Sequence, residues 1–238
     1  MEDKRFYGRR KGKPIRASRQ KLIDALLPRV ALARPADGKM LNPKCLFGIE
    51  PREVWLEIGF GGGEHVAELA RKYPDVGLIG AEPFMNGVAS LLAHLNGSHQ
   101  KPVAHTDLEP GRTDNVRIWA DDVRPLFAHF PAGCFERIFI LYPDPWPKAR
   151  HAERRFVGQK NIPALARLIF ETGTVFVATD VADYAAWAEE QMAESRLFEQ
   201  VNSNPAVPPE DWIPTRYERK GIAAGRRPTY LVFRKKTT

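Results

Sequence analysis

Leu56-Glu-Ile-Gly-Phe-Gly-Gly-Gly63 decides the fold, because an apolar run breaks there into four glycines within five positions and a helical pattern starts at once. The run before it, Val54-Trp-Leu-Glu-Ile58, is β-branched and aromatic, as a buried strand requires, and residues 64–73 carry helical spacing. The same alternation continues outward. Residues 76–81 read as a strand, 84–95 as a helix, 116–120 as a strand and 123–130 as a short helix. Strands at 135–142, 174–179 and 229–233 follow, with helices at 161–170 and 184–198. Such alternation predicts an α/β fold: a doubly wound, mostly parallel sheet with helices on both faces. A polar insertion at 96–115 and a Pro-rich, charged loop at 202–225 interrupt it. Residues 1–50 read as a basic, partly disordered extension and 51–238 as the domain.

Charge is distributed unevenly. The 238 residues carry a formal charge of +7. Between positions 1 and 21 nine Lys or Arg face two acids, which leaves 27 bases balanced by 27 acids in the remainder. A segment so basic and so poor in apolar residues suits a phosphate backbone, or else serves as a solubilising tail. The N-terminus has no apolar leader, and no run is long enough to span a bilayer, so a cytoplasmic location without membrane contact is expected. Cys45 and Cys134 make neither a disulfide framework nor a zinc site, and the histidines at 65, 94, 99, 105 and 129 have no ligand spacing, so no metal is expected. No obligatory protein partner is evident.

Leu141-Tyr-Pro-Asp-Pro-Trp-Pro-Lys148 is the second informative stretch. Three prolines fix φ around Asp144 and Trp146 and bias the residue before each toward extended geometry, which preorganises the carboxylate at the end of a strand. Lys148, Arg150, His151, Arg154 and Arg155 follow directly. Whatever meets the carboxylate is therefore attached to a polyanion.

In a doubly wound sheet, ligands bind outside the carboxyl ends of the strands. A dinucleotide fingerprint needs its third glycine five residues after the first, and from Gly59 or Gly61 that position holds Glu64 or Val66. The pyrophosphate pattern fails. An acid followed by Gly-x-Gly-x-Gly, here Glu57, Gly59, Gly61 and Gly63, instead resembles the first motif of S-adenosylmethionine-dependent methyltransferases. Glu82, closing the second strand, is placed to accept hydrogen bonds from both hydroxyls of a ribose. At the third strand's end Asp121 has the register to lie beside an adenine amino group, although Asp121 and Asp122 also suit simple capping of the following helix.

Together with Ala178-Thr-Asp180 and Thr215-Arg-Tyr-Glu-Arg-Lys220, these motifs make roughly residues 45–236 resemble the bacterial tRNA (guanine-N7)-methyltransferase family. The resemblance implies a Rossmann-like class I methyltransferase with a seven-stranded sheet, S-adenosylmethionine as cofactor and tRNA as partner. It implies methyl transfer to N7 of a guanosine in the variable loop. By motif position Glu57, Glu82, Asp121 and Asp144 match the cofactor-proximal acids, and Lys148, Asp180, Thr215, Arg216, Tyr217 and Glu218 the substrate-binding positions. The insertion around 97–112 and the N-terminal arm depart from the pattern.

Guanine N7 has a lone pair and no proton, so no general base is needed. What the chain must supply is placement of two reactants and stabilisation of positive charge moving onto the purine. Asp144 is the candidate for that role, and it can also accept from guanine N1–H and the 2-amino group. Asp180 and Glu218 are further readers of that edge. Arg150, Arg154 and Arg155 are expected on the RNA backbone, while Trp146 and Tyr217 either stack on a base or, as is commoner for an aromatic among prolines, pack on the scaffold. Two other functions fit less well: methylation of an exocyclic amino group, whose enzymes carry a similar Asp/Asn-Pro-Pro-aromatic signature, and a non-catalytic RNA-binding module on the same fold.

Overall fold

Contiguous β-branched runs and short amphipathic segments fold into the expected alternation. A computed structural model describes residues 8, 10, 12–98 and 114–236. Its elements are α1 (Ala17–Val30), β1 (Glu53–Ile58), α2 (Glu64–Lys72), β2 (Val76–Ala81), α3 (Met85–Leu95), β3 (Val116–Trp119), β4 (Phe135–Leu141), α4 (Ile162–Leu168), β5 (Ile169–Thr179), α5 (Ala182–Ser195), β6 (Phe198–Gln200), α6 (Arg216–Ala223) and β7 (Thr229–Lys235). The seven strands form one sheet in the order β3-β2-β1-β4-β5-β7-β6. The β1–β2, β2–β3 and β4–β5 pairs are parallel, whereas β7 runs antiparallel to both β5 and β6. By packing, the chain divides into two compact units, Met1–Phe130 and Pro131–Thr238.

In the first unit β1 and β2 are buried almost throughout, which is why their sequences read as near-continuous apolar runs. Gly63 caps α2 with φ +77°, and a Cβ there would press on Leu91, whose Cα would lie 2.8 Å away. Only glycine meets both demands. The reading of residues 1–50 as an appendage needs correction for 17–30. These form α1, which lies against α3 and β3 with Leu22, Leu26 and Val30 buried. Burying each contributes about 1.5–3 kcal/mol. The following chain is tied in as well, Ala31 bridging to Ile118 and the Leu41 N–H donating to the His129 carbonyl at 2.7 Å. Most of the 96–115 insertion lies outside the described residues. The short helix expected at 123–130 is a 3₁₀ turn, Arg124–His129, with Pro125 in its first turn.

In the second unit α5 ends at Ser195, short of the expected 198, because Arg196 turns left-handed at φ +58°. Phe198 is thereby released to start β6, an edge strand too short for a periodic signal. β5 begins at Ile169, five residues early, with a register shift opposite Phe135 and Arg137. Inside the expected loop lies α6, started by Thr215, whose Oγ1 accepts from the Glu218 N–H at 3.0 Å. Among the described residues no helix is long and apolar enough to cross a membrane.

Candidate active site

The glycine turn after β1 is built against the end of β2. The Gly59 N–H donates to the Ala81 carbonyl at 2.8 Å, and at φ +74° a Cβ on Gly59 would stand in open space. Glu82, 8% exposed, accepts from the Gly61 N–H at 2.8 Å with one oxygen and from the Phe84 N–H at 2.9 Å with the other. A carboxylate has about four acceptor sites, so a diol can still be held. Glu57 is buried and pairs with His65, Nδ1 to Oε2 2.7 Å. Spacing gave His65 no role, yet it lies in the first turn of α2, directly after the left-handed Gly63, where the turn returns the chain to the end of β1.

Asp121 and Asp122 separate by environment. Asp122 is buried, holding the Arg124 guanidinium with both oxygens and accepting from the Arg124 N–H at 3.0 Å. Asp121, with a side chain 34% exposed, accepts from the Asp122 N–H and meets Arg10 at 2.9 Å and Arg34 at 3.7 Å. One base of the N-terminal segment therefore sits on a carboxylate of this half-site. The same segment also reaches α3, where Asn86 donates to the Lys13 carbonyl at 2.9 Å.

In the second unit, the loop after β4 is held in an unusual conformation. Tyr142 and Trp146, two residues to either side of Asp144, have φ of +51° and +41°. Left-handed backbone at such residues costs on the order of 1–3 kcal/mol each and persists only where the surroundings impose it. Asp144 itself is exposed, as are Lys148 and Arg150. Trp146 is half-buried, edge-on to His151 at 5.9 Å and under the Arg154 guanidinium at 5.2 Å. Its ring is packed within its own loop. His151 is held below its ordinary range by partial desolvation and then by Arg154, Arg150 and Lys148, as expected inside a positive patch.

Arg155 requires correction as an RNA-backbone contact. It is 7% exposed, and its guanidinium binds the Pro145 and Trp146 carbonyls and Asp183. Glu218 is likewise not a free reader of a base edge. At 3% exposure its oxygens accept from the Trp212 indole at 2.8 Å and the Tyr230 hydroxyl at 2.7 Å, tying α6 to β7. The Tyr142 phenol is pushed upward by burial and then by Glu218, which puts the strained loop beside the same acid. Thr215 is buried as the cap of α6. Asp180, at the end of β5, pairs with Arg226 at 2.6 Å and touches the place where a Gly221 side chain would stand. Arg216 is exposed, and Tyr217, 55% exposed, offers its ring to solvent.

The glycine turn and the acids Glu57, Glu82 and Asp121 thus stand at three successive strand ends of the first unit. Solved methyltransferases share the fold. The structure is similar to that of the 16S rRNA methyltransferase KamB, with a TM-score of 0.52 at 13% identity over 79% of this chain and 89% of that one. It also resembles a variant of the 16S rRNA (adenine(1408)-N(1))-methyltransferase of Catenulisporales acidiphilia, TM-score 0.52, 10% identical over 83% and 92% of the two chains. At these identities the likeness is one of fold.

Residues 51–231 match the family model described as putative methyltransferase. A tRNA (guanine-N(7)-)-methyltransferase of Rhodospirillum rubrum is 43% identical over 99% of this chain and 89% of its own. The enzymes of that name from Paramagnetospirillum magneticum and Granulibacter bethesdensis are 42% and 44% identical, covering 99% and 95% of this chain and 94% and 92% of theirs. The chain belongs to the tRNA (guanine-N(7)-)-methyltransferase family.

Proposed function

We propose that this protein transfers a methyl group from S-adenosylmethionine to N7 of a guanosine in the tRNA variable loop, in the cytoplasm and without an obligatory protein partner. The observation that carries the reading is an exposed carboxylate, Asp144, set between two left-handed residues and followed by a run of bases. When bound, S-adenosylmethionine supplies an electrophilic methyl group on a sulfonium. Glu82 holds the ribose hydroxyls, Asp121 the adenine amino group, and the turn from Gly59 to Gly63 with Glu57 the remainder. Guanine N7 needs no deprotonation, so Asp144 acts by orienting the base and by stabilising the charge that develops on it. Lys148 and Arg150 hold phosphate, and Tyr217 is free to stack on a base.

The test is incubation with labelled methyl donor and unmodified tRNA, followed by mapping of the methylated atom. Label on an exocyclic amino group would replace this reading by the first alternative. Donor and tRNA binding with no transfer would leave an RNA-binding module.

The arm gives a separate prediction. Removing residues 1–13 deletes six of its nine bases and leaves α1 whole. Arg10 is engaged by Asp121, so only part of this charge is available for phosphate. The truncated protein should bind tRNA more weakly, losing about two to four contacts, each worth about 0.7–0.9 in the slope of log affinity against log salt. Slopes that coincide with those of the whole chain would make the arm a solubilising tail.

A further inference from the structure

Arg155 closes the loop that carries Asp144, and we propose that it is a positioning residue for methyl transfer, holding the loop in its reactive shape from a socket on α5. This rests on the reading of Asp144 given above. The Arg155 Nε donates to the Pro145 carbonyl at 2.9 Å and Nη2 to the Trp146 carbonyl at 3.4 Å, the carbonyls of the two residues directly after Asp144. Its charge is balanced by Asp183, in the first turn of α5. The guanidinium lies over the rings of Tyr184 at 5.7 Å and Trp187 at 5.2 Å, both on α5.

The socket is itself fastened. The Val157 N–H donates to the Tyr184 hydroxyl at 3.3 Å, and the Trp187 indole donates to the Val157 carbonyl at 2.6 Å. Arg155 is thus fixed from behind by the residue two positions on. A planar fork presents its donors to two carbonyls and a carboxylate in one fixed geometry, which the rotatable donors of an ammonium do not preorganise. Burying an ion in this way is costly unless its donors are matched, and two of the three acceptors, the Pro145 and Trp146 carbonyls, belong to the loop. The left-handed Trp146 is one of them, so the same guanidinium that neutralises Asp183 stabilises an otherwise disfavoured backbone. Asp144 is close enough to the socket to be among the charges that raise the Tyr184 phenol, after burial as the main cause.

Single-turnover transfer with cofactor and tRNA saturating separates positioning from folding. Arg155→Met should slow transfer by about ten- to a hundredfold, as expected for a small misplacement of a reacting group, with dissociation constants for tRNA and S-adenosylmethionine within about threefold of the parent. Arg155→Lys should fall between the two, and methylguanidinium added to Arg155→Ala should restore part of the rate. In the Asp144→Asn background Arg155→Met should have no further effect, since both act through one group. A wild-type rate for Arg155→Met overturns the proposal, and so do single effects that multiply in the double variant. If the Met variant does not fold, Arg155→Lys carries the test: slowed transfer with intact binding supports the proposal and an unchanged rate ends it. Should Asp144→Asn itself transfer at the parent rate, the reading of Asp144 falls, and Arg155 has nothing to position.

Discussion

Asp144→Asn is expected to reduce single-turnover methyl transfer by roughly 10²–10³-fold while changing tRNA affinity little, the size of effect seen when one preorganised electrostatic group is removed from a transition state. The substitution keeps the side chain's size and one acceptor oxygen but removes the charge. The contrast with tRNA affinity follows from exposure: Asp144, Lys148 and Arg150 all stand in solvent, and on the proposed function the docking energy comes from the two bases. On the proposed mechanism the carboxylate acts only as positive charge develops on the purine. Collapse of tRNA binding, with the bound complex reacting at the normal rate, would reduce Asp144 to a docking contact.

Glu82→Ala should weaken S-adenosylmethionine binding by about 2–4 kcal/mol, roughly thirty- to a thousandfold in Kd by titration calorimetry. Two losses combine. The diol loses its charged acceptor, and the Gly61 N–H, now bonded to Glu82 at 2.8 Å, loses the tie that fixes the glycine turn. Glu82→Gln keeps one carbonyl oxygen and should lose less. Equal losses for the two variants would mean that the charge alone matters, and unchanged affinity in both would remove Glu82 from the site.

Much of this was legible in the sequence, for physical reasons. Parallel strands buried on both faces must be continuous apolar runs, so β1, β2 and β4 could be bounded within a residue of their observed ends. α1 carries Leu22, Ile23, Leu26, Leu27 and Val30 at helical spacing, but the stripe stands in a basic segment with Pro28 inside the helix, and that context hid it. α6 is polar and buries only Glu218 and Gly221; the Thr215 to Glu218 capping spacing was its one local signal. In the site, the bases from Lys148 to Arg155 look equivalent as a string. Packing on α5 removes Arg155 from solvent and leaves Lys148 and Arg150 there, a distinction that no local pattern encodes. The Glu57–His65 pair is hidden for a related reason. Its partners are eight residues apart across a turn of left-handed glycines, and neither helical nor strand spacing brings them together.

The tryptophans are partitioned in a way that bears on how the protein can be watched. Trp55 and Trp119 are buried in the first unit, whereas the half-buried Trp146, Trp187 and Trp212 all belong to the second. Each of these three touches a group of the candidate acceptor half: Arg154 over Trp146, Arg155 over Trp187, and Glu218 accepting from Trp212. Indole emission moves to longer wavelength in polar surroundings and responds to a charge on the ring. The red-shifted, quencher-accessible part of the intrinsic fluorescence therefore reports on the second unit, and the blue-shifted part on the first. If the proposed function holds, a phosphate that draws Arg154 away from Trp146 should alter the first component without the second, and the unlabelled chain would be its own optical sensor for RNA.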